Sequence, residues 1–267
     1  MRAPRTLRAM PTLLRVGVAE TVAYRAEFLV WVLTTTQPLI MMSLLTFVAR
    51  GGAFKSYTSP DIVAYYMATL IVRQLMGNWV AWQMMEEIRM GTLAMRLLRP
   101  IHPFFAYLAS QAASIPFRAA ITLPLAGILL ASSGAATLPH HALQLAILPI
   151  SLVLAWLISF SIFYLIGSLA FFLTQTMAIG NAYFGLFSLF SGYLLPLDTL
   201  PHPIAVMADW LPFKFMLSVP VELMTRDLPA AACWHLVGAQ SVWFAITLAA
   251  ALWVWNRGIA RFESVGA

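Results

Sequence analysis

Glu86-Glu87-Ile88-Arg89-Met90-Gly91-Thr92-Leu93-Ala94-Met95-Arg96-Leu97-Leu98-Arg99 is a charged, amphipathic island in a chain that is otherwise almost continuously apolar. Long apolar runs flank it on both sides. The island is too polar to sit in hydrocarbon and too short to fold alone. It therefore reads as a surface segment joining two membrane spans, and contact with a partner outside the bilayer is the reason for its amphipathic character.

The composition around it agrees. The 267 residues are 61% hydrophobic and only 10% charged, against about 25% charged in soluble domains. Mean hydropathy is +0.82. A soluble fold could not hide that much apolar surface, so the expected class is an all-α integral membrane protein, a single domain over 1–267. Six apolar runs have spanning length, at about 28–48, 62–82, 105–132, 143–173, 176–195 and 232–256. Each must be helical, because lipid offers no partner to open backbone groups. Only a tight turn around 173–176 separates the fourth from the fifth.

The formal charge of +6 does not point to nucleic acid. The basic residues sit at segment ends, where they set orientation. Arg2, Arg5, Arg8, Arg15, Arg25, Arg89, Arg96, Arg99, Arg257 and Arg261 fall on one side of a six-span arrangement. Arg50, Lys55, Lys214 and Arg226 fall on the other. The excess places both termini and the island in the cytoplasm. Residues 7–26 carry Leu14, Val18 and Val22 at i, i+4, i+8, with Arg15 and Arg25 off that stripe, and Pro11 suits a first helical turn. This predicts an interfacial helix along the inner leaflet, in contact with membrane lipid. The basic start lacks the apolar core and cleavage site of a signal peptide. Residues 196–231 are too apolar for an ordinary loop and too interrupted by proline for a span. Short re-entrant or interfacial helices on the outer side are expected there.

Motifs for chemistry are sparse. No phosphate-binding loop is present, since neither Lys55 nor Lys214 follows a glycine-rich turn. The chain is thus not expected to hydrolyse ATP or to be an enzyme. The lone Cys233 excludes an internal disulfide and a multi-cysteine metal site. His140-His141 cannot share a helical face, and no metal site is expected. None of the ten acids falls clearly inside a span, which argues against ion-coupled carriage. Two arginines do fall in apolar runs. Arg73 lies deep in span two, with Gln74 and Asn78 beside or one turn beyond it. It either lines a path or a subunit interface, or makes a structural hydrogen bond. Arg118, early in span three, is expected to snorkel to the inner interface.

Four landmarks occur in order. They are Tyr24-Arg25-Ala26-Glu27-Phe28, then Glu87-Ile88-Arg89-Met90-Gly91-Thr92-Leu93 running to Leu97-Leu98-Arg99-Pro100. Next comes Ser191-Gly192-Tyr193-Leu194-Leu195-Pro196-Leu197, and last Asn256-Arg257-Gly258-Ile259-Ala260-Arg261-Phe262-Glu263-Ser264-Val265-Gly266. Together they resemble the permease subunits of bacterial type-2 ATP-binding-cassette exporters. The resemblance implies that 86–99 holds a coupling helix docking into a cytoplasmic ATPase dimer. It makes 7–26 the elbow helix and 196–231 the extracytoplasmic hairpin before span six. It also implies a second permease, identical or related, in the cytoplasmic (inner) membrane. ATP and Mg would be bound by the partner ATPase, with no cofactor on this chain.

Within the island, Glu86, Glu87, Ile88, Arg89, Gly91, Leu93, Leu97 and Leu98 are the expected ATPase contacts. Glu86 and Glu87 would sit near the start of a helix, and Arg96 and Arg99 near its end, complementing its dipole. Gly91 would allow the break from span two, and Pro100 would stop the helix. The expected cargo is hydrophobic or amphipathic, a drug, lipid, glycolipid or peptide. A non-transporting membrane scaffold is the alternative, and a lipid-modifying enzyme a third reading that lacks a polar cluster.

Overall fold

The computed structural model describes residues 37–50, 54–133, 141–173 and 177–262, together with Pro11, Thr12, Leu14, Arg15 and Val18. The described chain is helical, and its only strand-like pairing is an isolated bridge between Phe54 and Tyr57. Most of the expected interfacial helix and the first half of span one lie outside the described residues. The described positions among 7–26 are helical and exposed, Leu14 and Val18 included.

Helix α1 (Gln37–Ala49) is the described part of span one. Span two is where the structure departs from the hydropathy reading. It is two helices, α2 (Ser59–Met76) and α3 (Val80–Arg89), not one run over 62–82. The Asp61 carboxylate accepts the Thr58 backbone N–H at 2.9 Å and starts α2, with Pro60 in the first turn. Eighteen residues rise about 27 Å, a little short of a bilayer core. Gly77-Asn78-Trp79 then interrupt the helix. The freed backbone groups are met by side chains. The Met76 carbonyl accepts from Asn78 Nδ2 and Ser159 Oγ, both at 3.4 Å. The Gly77 carbonyl accepts from Arg118 Nη1. The Trp79 N–H donates to Gln111 Oε1 at 2.8 Å. Such backbone is tolerated at depth only when protein satisfies it in this way.

Inside the island, α4 (Leu93–Leu97) is a short helix. Span three is likewise divided, into α5 (Pro103–Ala113) and α6 (Ile115–Ser133). The division falls just before Pro116, which cannot donate to the preceding turn. Span four is α7 (Ala142–Ser168), continued by a 3-10 turn at Leu169–Phe171. It carries an internal Pro149. Span five is α8 (Met177–Phe190), which ends five residues before the expected 195. Gly192, with φ +85°, turns the chain there. Span six, α12 (Ala230–Ile259), is longer than the 232–256 expected. Ala142–Phe171 and Ala230–Ile259 are each long and apolar enough to cross a membrane. They pack along one another. Gln240 of α12 donates to the carbonyls of Ser151 (3.2 Å) and Phe215 (2.9 Å).

Residues 196–231 form three short helices, α9 (His202–Asp209), α10 (Pro212–Met216) and α11 (Ser218–Thr225). Prolines mark the starts of α9 and α10, as the sequence reading expects of an interrupted segment. The segment is buried largely by α2 and α7. Tyr65 and Tyr66 hydroxyls donate to the Gly192 and Leu194 carbonyls at 2.7 and 2.6 Å. Gln144, at the start of α7, donates to the carbonyls of Leu223 (2.9 Å) and Arg226 (2.6 Å). At the other end of α7, Gly167 lets α3 approach closely: a Cβ there would stand 3.0 Å from Met84 Cβ and 3.1 Å from Ala81 Cα. Residues 54–59, 144 and 196–229 thus share one end of the molecule, and the island and residues 164–172 and 255–262 share the other.

Candidate functional site: the 86–99 island

The island is not a single helix. It comprises the last turn of α3, a turn at Met90-Gly91-Thr92, and α4. Gly91 has φ +72°, the left-handed conformation that costs glycine least. The expected break therefore falls at Gly91, inside the island, in addition to the one at 77–79. Glu86 and Glu87 lie in the final turn of α3, so the expected dipole complementarity at a helix start is not formed. The helix also stops at Leu97, before Pro100.

The turn folds α4 back so that one carboxylate joins three elements. Glu87 receives Arg96 Nε on Oε2 at 2.8 Å and Arg96 Nη2 on Oε1 at 2.5 Å, a bidentate pair. Tyr107 of α5 donates its hydroxyl to Oε2 at 2.5 Å. Gln83, one turn back on α3, donates to Oε1 at 3.2 Å. The Arg96 guanidinium also lies over the Tyr107 ring, 4.2 Å from its centroid. The ion pair is largely shielded, with side-chain exposures of 18% and 16%. Gln83 in turn accepts from Gln111 Nε2 at 3.4 Å, and Gln111 holds the Trp79 N–H. A continuous polar chain thus runs from the interruption in span two to the island. Trp79, Gln83 and Glu87 occupy one face of α3 at i, i+4, i+8.

These contacts sort the expected docking residues. Glu86, Arg89, Leu97 and Leu98 are exposed, with Leu98 at 80%. Leu93 is not a surface residue. It is fully buried and packs in the core, because the Gly91 turn rotates α4 relative to α3. Ile88 is half-buried against that core. Glu87 faces inward as a tie between elements. Met90 (71% exposed) and Met95 (69%) complete the outward apolar face, and sequence reading had passed over both. Met is flexible and polarizable, which suits an adaptable contact. The face is therefore Met90, Met95, Leu97 and Leu98 rimmed by Glu86, Arg89 and Arg99.

At the start of α5, the His102 imidazole Nδ1 accepts the Phe104 N–H at 3.2 Å. Burial holds its pKa below the ordinary value. Deeper in the chain, Asn78 is buried and donates to Ser159 Oγ at 3.1 Å. Its visible work is to satisfy the broken helix. Arg73 points toward α8, over the rings of Phe187 (5.5 Å) and Tyr193 (5.8 Å). Arg118 does not snorkel. Only 6% exposed, it is held inside by the Gly77 carbonyl that the break leaves open. No group of three or more metal-ligating side chains occurs among the described residues. Cys233 is buried among the helices.

A family model described as ABC-2 family transporter protein matches residues 33–266. Comparison with curated proteins returned no match.

Proposed function

The chain belongs to the ABC-2 transporter family, and on that premise we propose that it is the permease of an ATP-driven exporter whose ATPase docks on the outward face of the island. Membership makes it a transmembrane permease subunit with an ABC ATPase as partner. The observation that carries the finer reading is the division of labour inside 86–99. Its inner side, Glu87 and Arg96, is tied to α3 and α5, while its outer side leaves four large apolar residues in solvent. Exposed apolar residues rimmed by charge are what a docking groove would cover. The tied inner side would carry a push on that face to the interruption in span two. In this reading the island and both termini face the cytoplasm, the membrane is the inner membrane, and six spans cross it. Two permeases, identical or related, enclose the path between them. The partner ATPase binds ATP and Mg, and the cargo is a hydrophobic or amphipathic molecule.

The test uses Met95→Asp with Leu98→Asp. Both side chains are exposed, so membrane insertion and thermal stability should stay at wild-type level. Co-purification of the ATPase should fall at least about tenfold, since two apolar anchors of an interface are lost. Permease-stimulated ATP hydrolysis and export should fall with it. A variant that inserts normally and keeps full ATPase binding and transport removes the docking reading and leaves the scaffold alternative in its place.

A further inference from the structure

Arg73 and Arg118 meet beside the interruption in span two, and no carboxylate among the described residues pairs with either. The ion pairs of the described residues are Glu87–Arg96, Asp209–Lys214 and Asp198–Arg226, all at the two ends of the molecule. Arg118 is anchored on the carbonyl of Gly77, four residues beyond Arg73 in the chain. The helices that carry the two cations, α2 and α6, pack against one another. Gly77 has no side chain to compete for the space that the Arg118 guanidinium takes at its carbonyl.

Apart from Arg118 the groups around Arg73 are neutral, the Tyr193 hydroxyl oxygen being within hydrogen-bond reach of its guanidinium. Its guanidinium lies over two aromatic rings, and its Nε is buried without an acceptor. A guanidinium has five donors and no acceptor, so donor capacity remains unused. An uncompensated charge in the hydrocarbon layer is costly and marks a functional site by default. Two such charges side by side compound that cost, and a shared anion would remove it through charge-assisted hydrogen bonds. Arg118 is enclosed, but Arg73 is partly exposed, between α2 and α8. Leu186 and Leu189, exposed at 47% and 39% and one turn apart, share the outward face of α8. They offer an apolar wall to a chain attached to the anion.

We infer that Arg73 and Arg118 form a binding site for the phosphate or carboxylate head group of an anionic amphiphile, with its apolar tail along α8. The site deepens the permease reading by naming the chemical class of cargo or bound lipid, and it rests on that reading only for the word cargo.

The full-length permease, purified without ATPase in a neutral detergent, is titrated with dodecyl phosphate, dodecyltrimethylammonium and inorganic phosphate. Dodecyl phosphate should bind saturably and the other two should not. Arg73→Gln should weaken binding at least about tenfold. This residue is half-buried and holds no backbone group in the structure, so the variant should fold. Arg118→Lys keeps the charge and should lose less. Native mass spectrometry from vesicles of phosphatidylglycerol mixed with phosphatidylcholine separates the sources. Selective retention of phosphatidylglycerol identifies a lipid site. Its absence, with dodecyl phosphate still bound, identifies a site for a transported amphiphile. Equal affinity of wild type and Arg73→Gln overturns the inference, as does equal or tighter binding of the cationic amphiphile or of inorganic phosphate. Because no ATPase is present, such a failure leaves the docking reading untouched.

Discussion

At the island, three side chains from three helices converge on one carboxylate, Glu87. At the opposite end, Tyr65, Tyr66, Gln144 and Gln240 hold the 196–231 segment and the turn before it mainly through backbone carbonyls. The difference lies in what each arrangement leaves fixed. Neutral donors on carbonyls have one geometry and little reason to let go. A bidentate ion pair between side chains on either side of a glycine turn can part and re-form as the turn moves. That opposite end does have ion pairs, among them Asp198–Arg226 at 2.5 Å, with the Tyr57 hydroxyl donating to Asp198 at 3.0 Å. Both charged side chains of that pair are 41% exposed, so water competes for them. The island end is tethered by a shielded ion pair and the opposite end mainly by amide and phenol donors.

The largest expected effect breaks the island's inside–outside division. Leu93→Asp places a carboxylate in a fully buried site and should destabilise the permease by at least about 3 kcal/mol. Leu98→Asp, five residues on but 80% exposed, should change stability by no more than about 0.5 kcal/mol. Thermal unfolding of the two in one detergent checks this. Equal losses would mean that α4 is not seated as described.

Next in size is the contrast of the two ion pairs. Glu87→Gln should cost about 1.5–3 kcal/mol, because it weakens shielded bonds to Arg96 and Tyr107. Asp198→Asn should cost less than about 1 kcal/mol. Double-mutant cycles of Glu87 with Arg96 and of Asp198 with Arg226 sharpen the comparison. A larger coupling energy at the outer pair would reverse it.

The smallest effect is pH dependence at the inner end. Neutral His102 accepts the Phe104 N–H, and burial depresses its pKa below the ordinary 6.5. The unfolded chain therefore binds the proton more readily. The contribution is fully present above about 6.5 and is lost as pH falls through the depressed folded value. Thermal stability should decline on acidification, and His102→Asn, a cap that does not titrate there, should flatten the His102 component of that decline. An unchanged pH profile in the variant would show that the cap does not sense pH.

Much of the fold was legible because hydropathy reports burial in lipid directly. The apolar runs, the proline-rich segment and the placement of basic residues at the two ends all came from that one property. The interruption at Gly77–Trp79 was not legible. Asn78 and Trp79 are ordinary residues in an apolar run, and what allows the break is Arg118, Gln111 and Ser159, which come from other helices. The same distance in sequence hid the Glu87 tie, since Tyr107 stands twenty residues away. The expectation that Leu93 faces outward failed for a local reason. Counting i, i+4 across Gly91 assumes one continuous helix, and a residue with positive φ resets the phase. Met90 and Met95 read as apolar residues in the sequence and lack only the correct register. Arg73 and Arg118 stood out as charges in apolar runs, but their meeting depends on the helix break.

In the proposed reading, the close seat of α3 on Gly167 would make α7 a drive shaft. Gly167 seats directly on Ala81 and Met84, so in the proposed reading a twist of the island would enter α7 at its Gly167 end. The 27-residue shaft runs about 40 Å to Gln144, which grips the carbonyls of Leu223 and Arg226. From Gly167 to Ser151 it is a plain helix and turns as one piece. Pro149 removes one bond of the ladder and leaves the Leu145 carbonyl without its usual donor. A helix weakened there would serve as a universal joint about a turn from the grip. Rotation can pass through such a joint while bending is absorbed by it. The outer segment would then be twisted by the inner end without being levered out of its seat.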